Sequence, residues 1–168
     1  MARKLGKPTD QRMAMLKGQV TDLLWYGKIE TTAPRGKDVQ RVAEKLLTLA
    51  INTYRDTVEV TKTVKNAKGE LVEQKFVNDG VKKLAARRKL MAELYDVQER
   101  KEYDESKTAY KARIRDIKHP LIEKIFNVYA KKYDARNQES GQAGGYTRIL
   151  RLGNRRGDDA EVVIVELV

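Results

Sequence analysis

The sequence predicts an α+β protein, because segments with helical periodicity occur together with short β-branched segments that are joined by turn residues. Four segments repeat apolar residues at spacings of three and four, and two pairs of segments have the pattern of β-hairpins. The 168 residues, 40% of them hydrophobic, support a single domain with a modest core. Around this core we distinguish a basic arm (1–8), a hairpin insertion (55–80), a charged insertion (97–119) and a C-terminal hairpin (144–168).

The first two predicted helices have clear ends. One spans about 9–27, where Gly27 suits the C-terminal end. The other spans about 34–53, where Pro34 suits the first turn. Gly36 is a local weakness of this second helix, since glycine costs up to about 1 kcal/mol relative to alanine within a helix and less near its start.

Two further helices are predicted in the second half of the chain. The third ends near residue 95, and either Asn78 or Asp79 can cap its start. The fourth begins at His119–Pro120 and extends to about Tyr133. The stretch NQESGQAGG that follows has the composition of a flexible linker.

Strand signals occur in three places. KIETT (28–32) is β-branched and predicts a brief strand or an extended link. Two alternating runs, 57–64 and 71–77, predict a hairpin whose turn contains Asn66 and Gly69. Because an isolated two-stranded hairpin is marginal in water, we expect its apolar residues to dock on RNA or on a neighbouring protein.

The chain ends in a second predicted hairpin. YTRILRL and EVVIVEL each have the length of a strand, and GNRRGDDA supplies the turn. The apolar run VVIV is typical of a strand that helices cover on one face. The loop is then expected to present Arg155 and Arg156, whose guanidinium groups can each grip a phosphate with two hydrogen bonds.

The charged insertion has a different composition. Residues 97–118 include 7 Lys plus Arg and 5 Asp plus Glu, without a lasting apolar stripe. This composition is compatible with an insertion, a mobile loop or a solvent-exposed helix. We expect it to lie exposed, because it cannot order itself by burying apolar surface.

Charge indicates the class of partner. The formal net charge is +11 and the isoelectric point is about 9.7, so nucleic acid is the leading partner and an anionic membrane the competing one. The chain has no cysteine, no apolar leader and no apolar run long enough to span a bilayer, which predicts a soluble cytosolic protein. Basic residues recur on the arm, in the C-terminal loop and on the third helix, where they are Lys82, Lys83, Arg87, Arg88 and Lys89. Each group taken alone is also compatible with an ordinary solvated surface.

An enzyme is disfavoured by the residues available. The chain has one histidine, His119, and two serines, Ser106 and Ser140, so it has almost no material for a nucleophile and its base. The acidic residues of the last loop, Asp158, Asp159 and Glu161, are better interpreted as turn acids near arginines than as a metal site. Glycine-rich nucleotide-binding motifs do not occur. We therefore predict no catalytic residue, no metal, no cofactor, no small-molecule substrate and no membrane partner.

Long motifs at both ends resemble a known family. RKLGK, RMAMLK, KIETTAPRGKDVQRVAEKLLTLA and GGYTRILRLGNRRGDDAEVVIVELV are similar to the bacterial large-subunit ribosomal protein L17 family. The resemblance implies helices packed on a small mixed or antiparallel sheet, and a cytoplasmic constituent of the large ribosomal subunit. It also implies binding to 23S rRNA and to neighbouring large-subunit proteins near the exit tunnel, without catalysis. A basic architectural or regulatory nucleic-acid-binding protein is the alternative.

Matching positions carry the expected RNA contacts of this family. They are Arg3, Lys4, Lys7, Arg12, Thr31, Thr32, Arg35, Lys37, Tyr146, Thr147, Arg148, Arg155 and Arg156. The arm is poorer in arginine and histidine than is usual in the family. The two insertions look like additions to the common core, so no role is carried over to them.

Overall fold

The computed structural model describes residues 3–65, 71–115 and 117–168, and it confirms the predicted α+β class. The helices are α1 (Thr9–Tyr26), α2 (Ala33–Ile51), α3 (Val81–Glu93), α4 (Lys107–Ile114), α5 (Pro120–Lys124) and α6 (Ala130–Ser140), with a π-helical segment (Ile125–Tyr129) between the last two. The strands are β1 (Lys28–Thr32), β2 (Thr57–Lys65), β3 (Leu71–Asp79), β4 (Thr147–Asn154) and β5 (Glu161–Leu167).

A three-stranded antiparallel sheet has the C-terminal strand at its centre. The strand order is β1-β5-β4, with Val165 opposite both Ile29 and Ile149. The predicted C-terminal hairpin is thereby confirmed, and KIETT is a strand. A bulge interrupts β4 between Arg151 and Gly153, where the glycine has a φ of 111° that other residues rarely adopt.

Helices cover one face of this sheet and form the core with it. Val163 and Val165 of β5 are fully buried, as predicted for a strand covered by helices. Leu23 of α1, Leu47 of α2 and Phe126 of the π-helical segment belong to the same apolar cluster. This cluster holds the first turns of α2 directly against the central strand.

The fourth helix is longer than predicted. α5, the π-helical segment and α6 continue to Ser140, and Gly141 ends the helix with a φ of 65°. The prediction that residues 137–140 belong to a linker is therefore wrong.

This long helix also contacts the C-terminal end of α1. Tyr129 Oη donates a hydrogen bond to the carbonyl of Leu24 (3.0 Å), and Lys124 Nζ donates to the carbonyl of Trp25 (2.7 Å). Both bonds satisfy carbonyls at the end of α1 that have no intrahelical partner.

The predicted first hairpin is confirmed as β2 and β3, while its predicted turn residues Asn66 and Gly69 lie outside the described residues.

The cap of α3 differs from the prediction. Neither Asn78 nor Asp79 caps the helix; the carboxylate of Asp56 accepts from the backbone amides of Lys82 (2.7 Å) and Lys83 (3.3 Å).

Asp79 instead fastens the end of the hairpin to the helix. It pairs with Lys83 at 2.8 Å and with Arg87 at 2.5 Å, and Arg87 also reaches Glu123. Burial raises the pKa of Asp79, but the hydrogen bonds from Arg87 and Lys83 outweigh it and leave that pKa below its usual value. The junction is therefore stabilised above the unfolded carboxyl pKa and loses this contribution as the pH falls through the lower folded value.

We expect Asp56→Ala to lower the free energy of unfolding by about 1 kcal/mol, the usual contribution of a carboxylate cap. The physical reason is that two amides of α3 lose their acceptor. Urea unfolding followed by circular dichroism measures the change, with Glu59→Ala on exposed β2 as the control. Equal stability of the two variants would show that Asp56 does not cap the helix.

The charged insertion contains ordered structure. Residues 107–114 form α4, whose N-cap Ser106 accepts from the amide of Ala109 at 3.1 Å. Arg113 pairs with Glu99 and Glu105, so ion pairs and a cap order the segment where apolar burial does not. No residue of α4 is buried, and of the alternatives the solvent-exposed helix applies to this part.

Candidate nucleic-acid interface

A basic cleft of about 450 Å³ lies at the N-terminus of α2. Three distant parts of the chain line it: the arm, the junction of β1 with α2, and the C-terminal loop. The sheet register brings the last two together, because Thr32 at the end of β1 is opposite Val162 at the start of β5. The lining residues are Arg3, Thr32, Ala33, Pro34, Arg35, Lys37, Arg155, Asp158, Ala160 and Glu161.

The start of α2 adds a favourable potential for anions. The first turn of a helix leaves backbone amides without intrahelical acceptors, and the helix dipole places partial positive charge there. Thr32 precedes the helix without forming a side-chain cap, and the first turn contains no acidic residue. Among the described residues, no carboxylate lies within ion-pair distance of Arg35 or Lys37. The cleft can therefore accept an anionic oxygen.

The C-terminal loop holds its arginine in a defined position. Arg155 donates from Nε and Nη2 to Asp158, at 2.8 and 2.6 Å, and its amide donates to the carbonyl of Ala160 at 2.9 Å. The hydrogen bond from Arg155 lowers the pKa of Asp158 to about 2. The predicted grouping of turn acids with arginines is confirmed here. Arg156 is exposed beside this pair.

Arg151, which was not predicted to be a site residue, neutralises the other acid of the cleft. Arg151 lies 3.1 Å from Glu161 across the hairpin. The strand pattern of YTRILRL and EVVIVEL is the only sequence feature that indicates this pairing. Since both cleft acids are paired, the basic side chains dominate its charge.

The arm folds back onto the body. Leu5 packs against the core cluster, and Leu5 and Gly6 have left-handed backbone conformations with φ of 53° and 65°. Arg12 donates from Nη1 to the carbonyl of Arg3, at the long distance of 3.5 Å. Lys4 is exposed and Lys7 is half-buried. Leu5 thus provides an apolar anchor that holds Arg3 at the cleft.

Three of the residues expected to contact RNA are buried. Thr31 accepts a hydrogen bond from Gln19, and Thr147 donates through its amide and its hydroxyl to Glu44. Tyr146 is 2% exposed and packs against the ring of Tyr133, with ring centroids 4.9 Å apart. These side chains hold the sheet against the helices, so we leave them out of the proposed interface.

The basic run on α3 divides into an ion-paired set and an exposed set. Lys83 and Arg87 are occupied by Asp79 and Glu123, with side chains only 13% and 18% exposed, and both lie over the ring of Phe126. Lys82, Arg88 and Lys89 are exposed. Of this run, only these three side chains are freely accessible to a polyanion. On the C-terminal hairpin, Arg148 is 61% exposed but bonded to Glu166 at 2.5 Å.

The described residues contain neither a membrane-spanning helix nor a metal-binding cluster. Of the helices in residues 3–65, 71–115 and 117–168, none combines the length and apolar character needed to cross a bilayer. Within the same ranges, no cluster of three or more histidine or acidic side chains has a geometry that could hold a metal ion.

A basic α+β protein whose cations gather at a helix N-terminus has the features of the class that binds nucleic acid. Comparison with known proteins identifies the family. Residues 15–168 match the family model described as ribosomal protein L17. The chain belongs to the ribosomal protein L17 family.

Relatives match along nearly the whole chain. The large ribosomal subunit protein bL17 of Lachnospira eligens is 38% identical over 186 aligned residues, which cover 99% of this chain and 98% of the relative. The bL17 of Acetivibrio thermocellus is 38% identical over 190 aligned residues with the same coverage. That of Clostridium acetobutylicum is 36% identical over 166, covering 99% and 96%. The resemblance seen at the two ends of the sequence is therefore confirmed, and it extends through the middle.

Proposed function

We propose that this chain is a structural constituent of the bacterial large ribosomal subunit and that its cleft at the start of α2 binds backbone phosphate of 23S rRNA. The observation that carries the proposal is the convergence of the arm, the β1–α2 junction and the C-terminal loop on one cleft. Family membership supplies the ribosomal context. In this proposal the chain binds 23S rRNA in the cytoplasm and has a structural role in the subunit. It carries out no catalytic step and needs no cofactor.

Each part of the cleft has a distinct task in this proposal. Arg35 and Lys37 provide the cations that meet a phosphate at the helix N-terminus, where exposed amides can complete its hydrogen bonds. Arg3 closes the cleft from the side of the arm. Phosphate contacts of this kind position a protein on RNA without reading its sequence. The chain then recognises 23S rRNA by the three-dimensional arrangement of its backbone phosphates.

Arg155 is held ready for a phosphate by Asp158. The carboxylate orients the guanidinium before binding, so little side-chain freedom remains to be lost. An incoming phosphate either shares the donors of Arg155 or displaces Asp158, which is about half exposed and can turn to water. Arg156, Lys82, Arg88 and Arg148 extend the contact beyond the cleft.

The same proposal places neighbouring large-subunit proteins beside this chain, in the region of the exit tunnel. Support for protein neighbours comes from exposed apolar side chains outside the cleft, such as Leu152 at 54% and Val58 at 50% exposure. Isolated exposed apolar side chains are normal on protein surfaces, so a specific protein contact requires a contiguous apolar patch.

Sedimentation tests the ribosomal assignment. Tagged chain expressed in its bacterial host is expected to move with large subunits at low salt, at near-equal stoichiometry. Its isolated complex with a 23S rRNA fragment should weaken with salt at a logarithmic slope of about 0.7 to 0.9 per phosphate contact. A chain found on the nucleoid or on duplex DNA would favour the architectural alternative, and a salt-independent affinity would contradict phosphate binding.

A further inference from the structure

The β2–β3 hairpin is a projecting ribbon with two unlike faces. Its nine-residue strands extend roughly 30 Å. Every residue of β2 except Val60 is exposed, as is every residue of β3 except Phe76 and Asp79. Such a ribbon is only marginally stable by itself in water. The ion pairs of Asp79 with Lys83 and Arg87, which we call the clamp, hold the end of the ribbon against α3.

Register assigns the side chains to the faces, because directly opposed residues of an antiparallel pair lie on the same side. Val60 is opposite Phe76, and Val64 is opposite Val72. This face, which we call the apolar ribbon face, consists of Val58, Val60, Lys62, Val64, Val72, Gln74, Phe76 and Asn78. The reverse face consists of Thr57, Glu59, Thr61, Thr63, Lys65, Leu71, Glu73, Lys75, Val77 and Asp79.

Charge distinguishes the two faces further. The apolar ribbon face contains a single charged residue, Lys62, whose ammonium group lies 5.8 Å from the ring centroid of Phe76. The reverse face contains five charged residues, and its two apolar side chains, Leu71 and Val77, stand apart from each other. A contiguous apolar surface therefore occurs on one side only, where Val58 and Val72 are 50% and 42% exposed.

The ribbon also differs from the rest of the protein in net charge. Residues 57–79 contain four lysines and four acidic residues, so the whole formal charge of +11 resides outside the ribbon. Binding to an RNA backbone requires cations that displace counterions, and a neutral apolar surface does not supply them. The apolar ribbon face instead favours burial against an apolar surface of another protein.

We propose that the apolar ribbon face docks on an apolar, weakly charged surface of a neighbouring protein of the large subunit, while the basic body binds rRNA. The inference rests on the proposed function of the body. The clamp from Asp79 through Arg87 to Glu123 fixes the direction in which the ribbon projects from α3. A ribbon of fixed direction loses less conformational freedom on binding.

Photo-crosslinking in intact large subunits tests the identity of the partner. Val72→p-benzoylphenylalanine places the probe on the apolar ribbon face, and Glu73→p-benzoylphenylalanine places it one residue away on the reverse face. We expect a crosslink to another ribosomal protein, resistant to ribonuclease, that is several times stronger from position 72. A crosslink to RNA, or to a second copy of this chain, would overturn the proposal.

Competition for subunit occupancy measures the importance of the contact. Val58→Ser with Val72→Ser is expected to lower occupancy against wild type by at least about fivefold, because two apolar side chains leave the interface. Leu71→Ser with Val77→Ser removes apolar residues that are even more exposed, at 68% and 67%, from the reverse face and should leave occupancy unchanged. Equal occupancy of both variants would overturn the ribbon proposal alone. Absence of the wild-type chain from large subunits would instead overturn the function proposed for the body, and this inference with it.

Discussion

Arg35→Glu combined with Lys37→Glu is expected to lower the affinity for 23S rRNA by about 100-fold or more at physiological salt. A hydrogen bond to a charged group contributes about 1.5 to 3 kcal/mol, so two lost phosphate contacts correspond to at least about 3 kcal/mol. The introduced carboxylates also repel the phosphate. The salt dependence should become shallower as well, by about 0.7 to 0.9 logarithmic units for each lost contact.

The fold should tolerate this charge reversal. Position 35 lies in the first turn of α2, where an acidic residue interacts favourably with the helix dipole, and position 37 is exposed. Neither basic side chain has an ion-pair partner among the described residues. Lys101→Glu with Lys107→Glu is the matched control, since both positions are exposed in the charged insertion and the net charge falls by the same four units. Filter binding across a salt series measures both. Equal losses of affinity would mean that only total charge matters and that the cleft is not a site.

Gly36→Ala is expected to lower the free energy of unfolding by about 1 to 2 kcal/mol, although alanine is the better helix former. A Cβ at this position would lie 2.9 Å from Val163 Cγ2 and 3.1 Å from Val165 Cγ2. Both valines are fully buried and stiff about χ1, so α2 must move away from β5. Gly36→Val should cost about 3 kcal/mol or more for the same reason.

A second helical glycine provides the control for this prediction. A Cβ at Gly18 of α1 would meet only Tyr95 Cε2 at 3.9 Å, an ordinary contact. Gly18→Ala should therefore stabilise the protein by up to about 1 kcal/mol. Thermal unfolding separates the two effects by sign, at about 2 to 4 °C per kcal/mol for a chain of this size. A stabilised Gly36→Ala variant would show that α2 and β5 are not in close contact.

Movement of α2 should also impair the cleft. Arg35 and Lys37 flank Gly36, and Arg155 reaches the cleft from the loop before β5. Displacing the helix from the strand separates these cations, so Gly36→Val is expected to weaken rRNA binding under conditions where the variant is still folded.

Local patterns in the sequence were sufficient for most of the secondary structure. The spacing of apolar residues predicts α1, α2 and α3, and alternation with turn residues predicts both hairpins, because these patterns reflect which face of an element is buried. Composition was a poorer guide where ion pairs and caps replace apolar burial. Residues 107–114 form a helix through Ser106 and Arg113, and residues 137–140 continue α6 despite their polar character.

Basic charge, the end motifs and the family were thus determined by the sequence alone, since each depends on residue identity and order along the chain. Only the tertiary structure decided which cations share a cleft. The pairing of β1 with β5 joins residues 130 to 138 positions apart, Asp56 caps a helix 26 residues away, and Asp79 occupies Lys83 and Arg87. Burial of Tyr146 and Thr147 was decided in the same way. The physical reason is that such contacts form when whole elements pack around the core, and no local pattern encodes the partner that packing will supply.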